Sequence, residues 1–201
     1  KISIIITSIG LGMAPGLVAA MVEAHTLKNY EEVNRKFNKA LEITILITIP
    51  MCIGISLLSS SIWTIFYGYN DFHQIGSLIL MVCIFSPLFS NLYTICNFTL
   101  QSVNKLKMVY ISALTGILVN ALLDVPLMLL LSKIGLPPYW GATLATIIGF
   151  SVTVIIATRV LKKEFGFKYK GILTMLGKTL IPLILMIISV IVLKILIPIN
   201  V

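Results

Sequence analysis

Long apolar stretches separated by short polar segments dominate the chain. Each stretch is about as long as the roughly 20 residues that a helix needs to cross a hydrocarbon core. None alternates apolar and polar residues as a barrel strand would, and backbone amides in lipid must bond within a helix or a closed barrel. The pattern therefore predicts an all-α membrane protein with six transmembrane helices. The predicted spans are residues 2–22, 41–66, 75–97, 108–131, 139–160 and 176–197.

The composition fits a membrane protein better than a water-soluble domain. Of the 201 residues, 58% are hydrophobic and only 11% are charged, whereas soluble domains carry about 25% charged residues. The chain begins inside an apolar stretch and has no secretory signal pattern, so we expect an internal part of a longer protein.

Basic residues indicate how the helices are oriented. Most of the 15 Lys and Arg residues follow spans one, three and five, and such connections face the cytoplasm. Trp63, Tyr67 and Trp140 fall at the opposite surface, where an aromatic belt is expected. The basic residues of the cytoplasmic connections account for the net charge of +8, so no nucleic-acid partner is needed to explain it.

The first basic connection has the pattern of an amphipathic helix. Asn29 precedes Glu32 by three residues, as in a capping box, and Tyr30, Val33 and Phe37 follow at helical spacing. We expect a helix lying on the inner membrane surface. The alternative is that span two extends into the cytoplasm.

Span three carries the longest stripe of polar residues. They recur every three or four positions and so share one helix face. The stripe consists of Ser90, Thr94, Asn97, Gln101 and Asn104. Intramembrane polar residues tend to face a cavity or the bundle interior, so we interpret Ser90, Thr94 and Asn97 as cavity-lining candidates. The alternative is hydrogen bonding between helices.

Span four has polar or small residues at every fourth position, including Asn120 and Asp124. Asp124 is the one carboxylate well inside a predicted span, and an Asp at the membrane centre costs about 2.5–3.5 kcal/mol on insertion scales. We expect it to contact a substrate or a coupling cation. Alternatively, it is hydrated near the outer surface or pairs with Lys133. If the polar faces of spans three and four meet, they form a polar wall.

Other small residues and prolines predict packing and helix breaks. Gly141, Ala145 and Gly149 are spaced by four, a pattern that lets two helices approach closely. Pro15, with the glycines around it, predicts a flexible or broken first helix, and Pro50 predicts an interruption of span two.

The sequence gives no sign of an enzyme. Phosphate loops, nucleophile elbows and metalloprotease motifs are absent from it, and the cysteines show no metal-ligand spacing. We therefore expect no catalysis, no cofactor and no metal, and we interpret the cysteines as small buried apolar residues.

Several short motifs occur in an order that resembles a known transporter family. They are Pro15 after a run of small residues, residues 28–32 (KNYEE), 49–55 (IPMCIGI), 65–68 (IFYG) and 99–105 (TLQSVNK), Asn120 with Pro126, and residues 140–146 (WGATLAT). Together they resemble the polysaccharide-biosynthesis and sporulation-protein branch of the multidrug/oligosaccharidyl-lipid/polysaccharide exporter superfamily, and within it the Gram-positive-type lipid II flippases.

The resemblance implies two inverted V-shaped bundles of six helices around a central cavity. Residues 1–163 would form five helices of the second bundle, and residues 164–201 a cytoplasmic loop plus an additional transmembrane helix. It further implies a multi-pass protein of the bacterial plasma membrane that flips a lipid-linked sugar precursor outward by alternating access. The partners would be that precursor, membrane lipids and a coupling cation, H⁺ or Na⁺, and the transporter would be monomeric. The family's pyrophosphate-binding arginines fall outside the matched positions, so none is assigned.

Two other functions are compatible with the sequence. One is a cation-coupled multidrug or small-molecule exporter of the same fold, which an acidic rather than an arginine-rich cavity would favour. The other is a membrane assembly subunit without transport, against which the polar stripes argue.

We predict that the segments around Lys36, Lys105 and Lys168 face the cytoplasm. In a background without the native cysteines, the Lys105→Cys variant should resist a membrane-impermeant thiol reagent in intact cells and react after permeabilisation. Labelling of that variant in intact cells would refute the orientation.

Overall fold

The computed structural model describes residues 2–168, Gly177 and residues 183–192. Residues 2–165 contain seven helices. They are α1 (Ile2–Thr26), α2 (Tyr30–Leu57), α3 (Ser59–Tyr67), α4 (His73–Cys83), α5 (Ser86–Ser102), α6 (Leu106–Lys133) and α7 (Tyr139–Phe165). A shorter apolar helix covers Leu183–Val192.

The prediction of a helical membrane protein is confirmed. Among the described residues, five segments are helical, long and apolar enough to cross a membrane, with α4 and α5 forming one segment, His73–Ser102. Of the sixth predicted span, 176–197, the structure describes only Gly177 and Leu183–Val192, and the remainder lies outside the described residues.

The expectation of a separate surface helix before span two is wrong, because α2 runs unbroken from Tyr30 to Leu57. Its amphipathic start packs on protein rather than on lipid. Val33 and Phe37 are completely buried in a cluster with residues of α1, α5 and α7. The predicted cap is present, since Asn29 Oδ1 accepts a hydrogen bond from the Glu32 amide at 3.1 Å.

The expected breaks at Pro15 and Pro50 are also wrong, since both prolines lie inside continuous helices. A proline removes one backbone hydrogen bond, whereas a break within lipid would leave several groups unpaired at several kcal/mol each. The second segment breaks instead at Leu58, near the opposite end from the basic connections, before three consecutive serines.

The third span is interrupted at Ile84 and Phe85, between α4 and α5. Pro87, in the first turn of α5, has no N–H to donate to the carbonyl of Cys83 four residues earlier. The Ser86 hydroxyl donates to that carbonyl instead, at 2.9 Å. The interruption therefore leaves the Cys83 carbonyl satisfied.

The described parts of the three basic connections lie together at one end of the bundle, which we call the basic end. Lys105, between α5 and α6, pairs with Glu164 at the end of α7. His25 at the end of α1 contacts the rings of Tyr30 and Phe165, with centroids 5.7 Å and 6.2 Å away. His25 is therefore partly buried in an aromatic cluster.

α6 and α7 approach each other closely along their length. A Cβ on Gly149 would lie 2.8 Å from the carbonyl oxygen of Gly116, and one on Gly116 would lie 2.8 Å from that of Gly149. Further along, a Cβ on Gly141 would lie 2.5 Å from the backbone nitrogen of Met128. The two backbones thus touch wherever α7 presents a glycine, and Ala145 between these glycines is fully buried.

We predict that Gly149→Ala lowers the free energy of unfolding by about 1–3 kcal/mol, the usual cost of overpacking, and that Gly149→Leu lowers the yield of folded protein. Thermal unfolding in detergent measures the first change. Gly54→Ala is the matched control, because a Cβ there meets no atom within 4 Å. Equal melting temperatures for the Gly149→Ala and Gly54→Ala variants would contradict the close contact.

Candidate functional site

The candidate residues on α5 lie at graded degrees of burial. Ser90 and Thr94 are partly exposed, and the Thr94 hydroxyl donates to the Ser90 carbonyl at 2.9 Å. Asn97 is buried, and its Oδ1 has no hydrogen-bond partner among the described residues. Asn97 therefore has a buried side-chain oxygen on this face that is free to accept a hydrogen bond.

The predicted stripe ends before Asn104. Asn104 lies beyond α5 with a φ of +58°, a left-handed conformation that asparagine tolerates better than most residues. The amide of Lys105 then bonds back to the Leu100 carbonyl at 2.8 Å. Asn104 thus terminates the helix at the basic end and does not continue the polar face.

Asn120 on α6 is directed toward α7. Its Nδ2 donates to Thr146 Oγ1 at 3.0 Å. Both residues line a cavity of about 130 Å³ where α6 and α7 meet, and Tyr93 from α5 closes one side with its ring 5.4 Å from that of Phe150. Asn120 therefore holds two helices together and also faces this cavity.

Asp124 is partly exposed and has no hydrogen bond or ion pair within the described part of the chain. In particular, the alternative of a pair with Lys133 is not realised. A carboxylate at this depth needs water, a proton or a cation, so Asp124 is available to a ligand or ion in a way that Asn120 is not.

The polar faces of α5 and α6 lie at different depths. At 1.5 Å of rise per residue, Asn97 is about 8 Å and Thr94 about 12 Å from the end of α5 at the basic end. Asn120 is about 21 Å and Asp124 about 27 Å from the corresponding end of α6. No hydrogen bond joins one pair to the other in the described residues. Measured along their helices, the two pairs thus lie at successive levels from the basic end.

Asn91 is the polar residue that the sequence analysis missed. It is 1% exposed, and its Nδ2 donates to the Ile6 carbonyl on α1 at 2.9 Å and to Thr48 Oγ1 on α2 at 3.4 Å. We call Gly10, Thr48 and Asn91 the asparagine junction. The available signal was an amide in the middle of an apolar span, one position outside the polar stripe.

The asparagine junction also depends on a close approach. A Cβ on Gly10 would lie 2.7 Å from Asn91 Oδ1, and that oxygen has no hydrogen-bond partner in the described residues. Glycine at position 10 therefore lets α1 reach the amide of α5. The junction separates a buried apolar cluster around Phe37 and Leu100 from another around Ile6 and Ile84.

Comparisons with known proteins identify relatives along most of the chain. The family model described as lipid II flippase MurJ matches residues 2–200. The lipid II flippase MurJ of Bacillus subtilis strain 168 is 32% identical over 174 residues, which are 85% of this chain and 30% of that protein. A solved structure titled lipid II flippase MurJ, inward closed conformation, aligns with a TM-score of 0.67 at 24% identity, over 88% of this chain and 37% of that one. This last likeness shows the fold alone.

We predict that Gly10→Ala and Asn91→Ala are coupled. Gly10→Ala should destabilise the protein through the collision with Asn91 Oδ1, and much less so once Asn91 is alanine. A double-mutant cycle from unfolding in detergent should give a coupling energy of about 1 kcal/mol or more, the scale for residues in contact. Additive effects would show that the two side chains do not meet.

Proposed function

Because the chain belongs to the MurJ family of lipid II flippases, we propose that it forms part of a transporter for an undecaprenyl-pyrophosphate-linked sugar precursor. The cargo is lipid II or a related polysaccharide unit, moved from the inner to the outer leaflet by alternating access. The chain is a multi-pass protein of the bacterial plasma membrane. It spans 30% of the length of its Bacillus subtilis relative, and the family match along residues 2–200 carries the proposal.

In this proposal, residues 1–163 are five helices of the second of two bundles, and residues 164–201 are a cytoplasmic loop and an additional transmembrane helix. One contact refines the boundary. Phe167, beyond the end of α7, is 1% exposed and packs in the same apolar cluster as Phe37. The beginning of the second segment therefore belongs to the core of the first.

The polar residues of α5 and α6 support translocation through a series of levels. A headgroup moving outward would meet Asn97 and Thr94 first, then Ser90, and then Asn120 and Asp124 in the outer half. Amides and hydroxyls suit the sugar and the phosphate oxygens as hydrogen-bond partners, while the lipid tail stays in the membrane. The proposed activity is transport without covalent chemistry.

Asp124 has a separate role in this proposal. A free carboxylate repels phosphate, and it becomes compatible with a passing pyrophosphate when it is protonated or bound to a cation. We infer that Asp124 either hydrogen-bonds the sugar or carries the coupling ion, H⁺ or Na⁺. One copy of the protein would suffice, because the levels lie within one bundle.

We predict that Asp124→Leu abolishes flipping and that Asp124→Asn is tolerated unless a cation binds there. Asparagine keeps the size and most of the hydrogen-bonding capacity, and leucine removes the polar group. The measurement is the appearance of labelled lipid precursor in the outer leaflet. The cells depend on this protein, and each variant is expressed in them from the protein's own gene at the same level as the parent.

Val125→Leu is the control, because Val125 is the adjacent residue on α6 and is 62% exposed. This variant should flip at the parental rate. Parental flipping by the Asp124→Leu variant would show that Asp124 has no role in transport. Loss of flipping by both leucine variants would point to disturbed packing of α6.

A further inference from the structure

A groove of about 340 Å³ opens between α1 and α2 at the basic end of the bundle. Gly16 and Ala20 on α1 and Ala40 on α2 keep it open because their side chains are small. A Cβ on Gly16 would meet nothing within 4 Å. Met13, Leu17 and Ile43 complete an apolar lining. This surface is a shallow apolar groove between the two helices.

Two lysines of α2 also line the groove. Lys36 is fixed at its rim, because Nζ donates to the Ala20 carbonyl at 2.9 Å across the two helices. Glu32 forms an ion pair with the same nitrogen at 3.7 Å, and its shorter contact, 2.8 Å, is with Arg35. Lys39 is exposed and has no ion pair among the described residues. Lys39 therefore leaves at the mouth of the groove a positive charge that no acidic side chain pairs within the described residues.

The groove is long enough to cross about two-thirds of one leaflet. From Ala20 back to Met13 the lining follows α1 for about 10 Å, at 1.5 Å per residue, and half of a hydrocarbon core is about 15 Å. The charged mouth lies at the end that we predict to be cytoplasmic. The groove therefore starts at headgroup level and runs toward the middle of the bilayer.

We propose that this groove is a binding site for an anionic phospholipid of the inner leaflet, with the phosphate between Lys36 and Lys39 and one acyl chain along Gly16 and Ala40. Basic pockets between helices on the cytoplasmic side recognise acidic lipid headgroups. The positive charge at the mouth selects acidic over zwitterionic lipids, and the apolar groove accepts an acyl chain. The proposal requires only that the chain spans a membrane and is independent of the flippase assignment.

The test uses the protein expressed from its own gene and reconstituted in phosphatidylcholine nanodiscs. A trace of phosphatidylglycerol with a photoreactive acyl chain is added to one sample and matched photoreactive phosphatidylcholine to another, and adducts are mapped by mass spectrometry. The phosphatidylglycerol probe should label the α1 and α2 peptides that line the groove, and the phosphatidylcholine probe should label them much less.

Variants then separate charge from shape. Lys39→Gln should lower groove labelling by phosphatidylglycerol about fivefold, the effect expected of one basic residue at a membrane surface. Gly16→Leu should lower it with no change of charge. Lys107→Gln is the control, since Lys107 is exposed and is not part of the groove lining, and its labelling should equal that of the parent.

Three results would overturn the proposal. Equal labelling by both lipids would mean that the groove is apolar contact surface without headgroup recognition. Absence of groove adducts with either lipid would mean that another part of the protein covers it. Displacement of the probe by undecaprenyl pyrophosphate but not by excess phosphatidylglycerol would assign the groove to an isoprenoid substrate.

Discussion

A helix in a bilayer gains little free energy by packing apolar side chains against another helix, because lipid tails are as apolar as leucine. Association depends instead on close contact and on polar groups that find partners. The contact between Gly116 and Gly149 meets both needs. It brings two backbones together, and beside it the Thr153 hydroxyl donates to the Ser112 carbonyl at 3.1 Å. α6 has few buried residues of its own, so its position depends on this contact.

The asparagine junction applies the same rule to three other helices. Asn91 is held by the backbone of α1 and a hydroxyl of α2, and Gly10 gives it room. An amide buried in lipid without partners would be costly. The apolar clusters on either side of the junction are compatible with many rotations of α5, whereas the two hydrogen bonds are compatible with one. The junction thus determines which face of α5 is turned away from α1.

Sequence reasoning succeeded where one local cause acts alone. The length of an apolar stretch predicted α1, α6 and α7, and the spacing of Asn29 and Glu32 predicted a helix cap. It failed where the free energy of a competing conformation depends on what surrounds the helix. A proline in the middle of a helix breaks many helices in water. In lipid, a break at Pro15 would leave more backbone groups unpaired than the proline itself does.

The functional site shows the same limit. Residue spacing places Asn120 and Asp124 on one helix face, but it does not say which neighbour that face meets. Thr146 of α7 accepts a hydrogen bond from the Asn120 amide. No residue in the described part of the chain forms a hydrogen bond or an ion pair with the Asp124 carboxylate. Asn91 escaped notice because its importance comes from Ile6 and Thr48, which are far away in sequence. Partners of this kind become visible only when the helices are placed beside one another.

The pairing of α6 with α7 has a consequence for how the chain is made. While a ribosome has released α6 but not yet α7, the Asn120 amide has no Thr146 to bond, and Gly116 has no opposing backbone. α6 without α7 is therefore less stable in the bilayer than its hydropathy suggests. The turn of residues 134–138 is short enough for the second helix to follow at once. The two helices therefore suit insertion as a hairpin, leaving the translocation machinery together and not one after the other.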